Sequence, residues 1–257
     1  MTINLPHRED IQLGRPPLRE VICQVRFVPL LSIADRMPTP FQEALRHKFP
    51  GFSVRRSVQL EAGPGGLQMP PGFPVEYEMK AADGTAEASL GINFVALTTG
   101  NYKNWRGFLE DLEPVLVTFE KVYGTIAATR VGLRFVNTLD AETTGLKKPE
   151  KLLALLRRDL TCLMRNRFWS PPQKAGVTLL LEEGSERMTL GVGFEAGHAA
   201  KILLDFDYFT ELEPAKDLAT QAILEMVDRF HGRLYDVFRW CLRDDKLHVF
   251  RPLQQPG

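Results

Sequence analysis

The feature that most constrains this chain is a repeated order of elements. Strand, helix, three strands and helix can be read over residues 18–124, and the same order returns over residues 125–245. The opening strands also share letters: Val25-Arg26-Phe27-Val28 aligns with Leu133-Arg134-Phe135-Val136. The helices that follow both begin at a proline and carry a Leu-Arg pair near their ends, Leu45-Arg46 and Leu156-Arg157. A half with roughly four strands and two helices covers only one face of its sheet. Two such halves joined edge to edge give one antiparallel sheet of about eight strands, an ordinary size. The junction also protects two of four sheet edges. The expected fold class is therefore α+β, with internally duplicated β-α-β-β-β-α halves, a mostly antiparallel sheet and helices on one face. The halves, 18–124 and 125–245, are expected to form one continuous domain, with an N-terminal arm at 1–17 and a tail at 246–257.

The elements come from periodicity and punctuation. Glu20–Val28 and Ile126–Asn137 are rich in β-branched and aromatic residues and read as strands. Ser53–Leu60 reads as a third. Pro38–Pro40 open a helix carrying Phe41, Ala44, Leu45 and Phe49, and Pro50-Gly51 stop it. Residues 61–74 hold four Gly and four Pro and are expected to contain no regular element. Val75–Ala81 and a long strand Thr85–Leu97 flank the turn residues Asp83-Gly84. Asn101–Tyr123 is amphipathic, with Pro114 expected to kink or divide it. A helix is expected from Pro149 to about Leu163. Strands follow at Gly176–Leu181, Arg187–Phe194 and Lys201–Asp207. A last helix is expected from Pro214 to about Arg243. On element order alone, this arrangement loosely resembles the duplicated saddle of TATA-binding proteins, a likeness that implies no function.

Strand alternation assigns the two sheet faces. Val21, Cys23, Val25 and Phe27 should meet the helices, as should Val131, Leu133 and Phe135. Gln24, Arg26, Arg130 and Arg134 should point to the open face. Glu76 and Glu78 lie opposite Val75, Tyr77 and Met79, and Asp205 and Asp207 lie opposite Leu204 and Phe206. The candidate ligand- or partner-binding residues are thus Gln24, Arg26, Glu76, Glu78, Arg130, Arg134, Asp205 and Asp207. Two readings of this face stand side by side. One is a solvated surface with cross-strand Arg–carboxylate pairs, each contributing about 0.2–1 kcal/mol. The other is a groove whose arginines take carboxylate or phosphate as bidentate forks.

Composition narrows the function classes. Lys+Arg and Asp+Glu are both 32, so the net charge is zero and binding to nucleic acid through bulk positive charge is not expected. The best local candidate for single-stranded nucleic acid is the loop Arg165-Asn-Arg167-Phe168-Trp169, which pairs guanidinium groups with stackable rings. The competing reading anchors Phe168 and Trp169 by packing and leaves the arginines in solvent. The three cysteines, Cys23, Cys162 and Cys241, are sparse and lack CxxC spacing, so they read as reduced thiols acting as small hydrophobes. The start MTINLPHRED is not a secretory signal, and no apolar run is long enough to span a bilayer, so a cytoplasmic location is expected. No HExxH, GxSxG or GxxxxGK[ST] motif occurs, and neither catalytic residues, a metal nor a cofactor is expected.

Three segments carry a resemblance: PPLREVICQVRFVPLLSI, RVGLRFVNTL and RFHGRLYDVFRW. Together they resemble an uncharacterised, sporadically distributed bacterial family of similar length. The resemblance covers about residues 16–250. It rests on core-strand and helix patterns and brings no catalytic residues with it. Its patchy distribution implies an accessory component of a mobile or phage-defence locus. The expected function is a non-catalytic binding or adaptor protein using the open sheet face, with a protein partner or small ligand and a possible homodimer. The alternatives are a nucleic-acid-binding accessory protein using the 165–169 loop, and an enzyme with a site on the concave sheet face.

Overall fold

The computed structural model describes residues 5–56, 61–63, 66–68, 75–165, 168–197 and 199–253. In chain order it comprises β1 (Leu18–Phe27), α1 (Leu31–Asp35), α2 (Thr39–Leu45), β2 (Gly51–Arg56), β3 (Glu61–Gly63), β4 (Gly66–Gln68), β5 (Val75–Lys80), β6 (Ala86–Gly91), β7 (Phe94–Thr99) and α3 (Trp105–Tyr123). Then follow β8 (Ile126–Leu139), α4 (Ala141–Thr144), α5 (Pro149–Leu153), α6 (Arg158–Thr161), β9 (Lys174–Glu183), β10 (Glu186–Glu195), β11 (Lys201–Leu218), α7 (Thr220–Cys241) and a 3-10 turn at Asp244–Phe250. The fold is α+β. Nine strands form an antiparallel open sheet in the order β2-β5-β6-β7-β1-β8-β11-β10-β9, and β3 and β4 pair separately. Among the described residues no helix is long and apolar enough to cross a membrane.

The chain forms two compact units. One comprises residues 22–131 and 211–226. In it Val25 and Phe27 of β1 are buried, and the Phe27 ring lies 4.9 Å from Phe119 of α3. Asn104 caps α3 by accepting from the Gly107 N–H, and the helix runs unbroken through Pro114. The expected kink or division at Pro114 is thus corrected in part: the helix is not divided. A proline cannot donate to the carbonyl four residues back. Here that carbonyl, Glu110 O, accepts from Lys48 Nζ at 2.5 Å, and Lys48 also pairs with Asp111 at 2.7 Å.

The other unit comprises residues 1–21, 132–210 and 227–257. Phe206, Tyr208, Phe230 and Leu234 are fully buried there, and the Tyr208 and Phe230 rings are 5.1 Å apart. The described part of the arm is tied to this unit through its backbone. Arg8 N–H donates to Asp236 and Ile11 N–H to Tyr235 Oη, while Gly14 and Arg15 N–H groups donate to the carbonyls of Arg251 and Phe250.

Four further expectations are corrected. The long strand Thr85–Leu97 is a hairpin, β6 and β7, turning at Ile92-Asn93. Gly91 lies under the Phe94 ring of the cross-strand pair, so a Cβ there would run into the ring and force it to move. Part of the Gly/Pro-rich stretch forms the short β3–β4 ladder, and the rest lies outside the described residues. The helix expected from Pro149 to Leu163 is two short pieces, α5 and α6. Between them Arg157 N–H donates to Cys241 O and Arg243 N–H to Leu155 O, so the backbone pairs with the end of α7 rather than with itself. Pro214 lies within β11, and α7 starts at Thr220. There Glu120 accepts from the Thr220 N–H at 3.1 Å and its hydroxyl at 2.6 Å, satisfying a donor of the first turn. These contacts hold the Glu120 carboxyl below its usual range.

Candidate functional sites on the sheet

Alternation sorted the faces of β1 and β8 as expected. Val21, Cys23, Val25, Phe27, Val131, Leu133 and Phe135 are buried, while Arg26 and Arg134 are exposed. Burial pushes the thiols of Cys23 and Cys241 up to about 12, so neither is a ready nucleophile. Cys162 is exposed, against the expectation that all three pack as small hydrophobes.

In the unit of residues 22–131 and 211–226, the polar centre is Glu78. It sits on β5 between β2 and β6, with Ser53 opposite on one side and Ser89 on the other. Small neighbours let longer chains from adjacent positions fold over it, and its side chain is only 5% exposed. Ser53 Oγ donates to Glu78 Oε2 at 2.9 Å, and Lys80 Nζ lies 3.6 Å from the same oxygen. Arg55 Nη2 lies 2.5 Å from Oε1, an ionic contact outside hydrogen-bond geometry. Lys80 also reaches Glu87 at 3.2 Å, and Ser89 donates to Glu87. Glu76, on the same face of β5, has its carboxyl raised, first by burial and then by Glu78 and Glu87, with Arg55 opposing. Arg26 donates to Gln24 Oε1 at 3.0 Å and is otherwise directed to solvent. Arg130 is half-buried.

In the other unit, Arg134 of β8 donates from Nε and Nη2 to the two carboxylate oxygens of Asp205 on β11, at 2.7 and 2.5 Å. This is the bidentate fork for which Arg is suited, filled by a neighbour in the same sheet. The fork raises the Arg134 pKa further, with Asp207 and Glu20 adding to it. Gly191 and Thr189 of β10 stand opposite Asp205 and Asp207, so the surface beside the pair is low.

The structure thus places Glu76 with Glu78, Arg134 with Asp205, and Gln24 with Arg26. Ser53, Arg55, Lys80, Glu87 and Ser89 were not anticipated. Their signal is parity: each shares Glu78's face once the strand register is known, and register is not written in a single strand.

In the basic loop, Phe168 is 75% and Trp169 52% exposed, and Trp169 Nε1 donates to Leu163 O at 3.1 Å. The Arg165 N–H is held by Thr161 O, and Arg167 lies outside the described residues. Near the arm, a shallow cleft of about 520 Å³ is lined by His7, Arg8, Asp10, Ile11, Arg239 and Leu253, among others. Among the described residues no group of three or more His, Cys, Asp or Glu side chains is placed to hold a metal ion. No family model matches the chain, and no curated protein matches it.

Proposed function

We propose that the chain is a non-catalytic binding or adaptor protein of the cytoplasm that receives a protein partner or a small polar ligand on the open sheet face. One observation carries this reading: two charged clusters of the sheet, one in each unit, are held in fixed pairs. The Arg134 guanidinium is locked on Asp205, and Glu78 is clamped among Arg55, Lys80 and Ser53. Paired, immobilised charges suit recognition, because a partner of complementary pattern meets groups whose ordering is already complete. The resemblance of the three core segments to a sporadic bacterial family favours an accessory role.

The test is purification from the native host, followed by light scattering and mass spectrometry of what copurifies. A second polypeptide or a small ligand should accompany the wild-type chain and be lost from Arg134→Ala, with the circular dichroism unchanged. A clean protein without any companion, or a companion retained by both Arg134→Ala and Arg55→Ala, overturns the reading.

A second reading has its own observation, the exposed Phe168 and Trp169 rings in the segment that follows Arg165 in the sequence. Binding of single-stranded nucleic acid there should weaken steeply with salt and fall in Trp169→Ala. A flat salt response would sink it.

A further inference from the structure

The two ends of the nine-stranded sheet differ in one respect that points to a partner. Strand β9 is last in the strand order, and it pairs with β10 along all ten of its residues. Its other side meets no strand among the described residues. Long edge strands are ordinarily blunted by an inward charge, a proline or a bulge. In β9 the charges sit only at the ends, at Lys174, Glu182 and Glu183, and Ala175–Leu181 between them is uncharged and free of proline. Leu179 and Leu180 are 40% and 62% exposed, on opposite faces of the strand.

We propose that β9 is a homodimerisation edge: two copies of this chain pair β9 antiparallel to β9, extending one sheet into the other. The argument is self-complementarity, which a twofold interface requires. In an edge-to-edge antiparallel pair related by a twofold normal to the sheet, directly opposed residues share a face. The register must therefore be centred on a residue. Centring on Thr178 sets Lys174 of each copy opposite Glu182 of the other, twice by symmetry. The same register sets Ala175 against Leu181 and Val177 against Leu179 on the buried-side face. On the open face Gly176 leaves room for the partner's Leu180. Charge therefore meets opposite charge at both ends, and apolar residues meet in the middle.

Among the described residues the partners of Lys174 and Glu182 lie at the surface, Glu195 across the ladder and Arg187 at 3.5 Å, so both can turn outward. The opposite sheet edge, β2, offers no such register. Its charges are two arginines, and Arg55 is committed to Glu78. The inference stands apart from the open-face reading above, since it uses the rim of the sheet and a second copy of the chain.

The test is sedimentation velocity on the purified full chain across a hundredfold concentration series. The wild type should show a reversible dimer. Leu180→Lys, which adds a charge to an exposed position, and Lys174→Glu, which opposes Glu182 with a like charge, should each weaken it about tenfold, as expected for two symmetric cross-strand contacts. The swap Lys174→Glu/Glu182→Lys restores complementarity and should return the dissociation constant to within about threefold of wild type. A chain that is monomeric throughout overturns the proposal, as does a dimer indifferent to Leu180→Lys and Lys174→Glu. A dimer that the double swap fails to restore overturns the register. Circular dichroism of each variant separates a lost interface from a lost fold, and Leu180 is exposed enough that its substitution leaves the core alone.

Discussion

Glu78 and Asp205 are both carboxylates on the sheet, both paired with an arginine, and they differ in almost everything that sets their energetic weight. Glu78 is buried between Ser53 and Ser89, and its cations reach it over the top from Arg55 and Lys80. Asp205 is partly exposed, and it meets Arg134 through two well-directed hydrogen bonds. The better geometry therefore belongs to the pair expected to matter less for stability. A solvated pair gains little because water would serve each partner nearly as well. A buried carboxylate that loses its cation has no such substitute. Hydrogen-bond quality alone is a poor guide to which contact holds the fold.

The largest expected effect comes from the buried side of this comparison. Arg55→Ala strips Glu78 of its nearest cation, and with Lys80 remaining and Arg55 itself well exposed, the cost should be about 2 kcal/mol, below that of a fully buried pair. The shift of the urea midpoint measures it. A loss below that of Arg134→Ala would reverse the ranking. Glu78→Gln should cost less than Arg55→Ala, about 1 kcal/mol, because it removes the buried charge while keeping an acceptor for Ser53. Arg134→Ala should cost only about 0.5 kcal/mol, as exposed pairs do, and the effect should shrink further in high salt.

The smallest expected effect sharpens the same contrast with a different group. His231 packs its ring edge-on against Phe135 at 5.9 Å and lies 3.6 Å from Asp10. Burial lowers its pKa from the ordinary 6.5, and Asp10 and Asp228 oppose the shift in part. The folded state therefore binds the proton less readily than the unfolded chain. His231 leaves stability untouched above pH 6.5. Stability is lost as the pH falls through 6.5 toward the lower folded value. Urea midpoints between pH 5 and 8 should show this decline, and His231→Phe should flatten that part of it. An unchanged slope in the variant would mean that Asp10 and Asp228 fully offset the burial.

Much of the fold was legible because alternation is a local property. β1, β8 and β10 were read from their own residues, and so was the burial of Val25 and Leu133. The Asp83-Gly84 turn was also legible, since Gly84 adopts a positive φ of 70° and the Asp83 side chain accepts from Thr85. Of the candidate site residues, Arg26 and Arg134 were placed outward by the same rule, while Arg130 is half-buried. What surrounds Glu78 was not, because it depends on which residue of β2 and which of β6 stand beside it. The misread elements share a cause. At residues 149–163 the apolar spacing suits a helix, yet the chain between α5 and α6 pairs with the end of α7. At Pro214 the helix-start signal lost to the continuation of β11.

By itself, then, the sequence determined the class of the fold, the inward and outward faces of its best strands, and the two long amphipathic helices. Those follow from periodicity, which each segment carries within itself. Only the tertiary structure decided that Glu78 is buried and Asp205 is not, that Lys48 serves the carbonyl left free by Pro114, and that β9 lies at a sheet edge. Each of these is a meeting of residues distant along the chain. Their partners are chosen by strand order and register, and no local pattern encodes either.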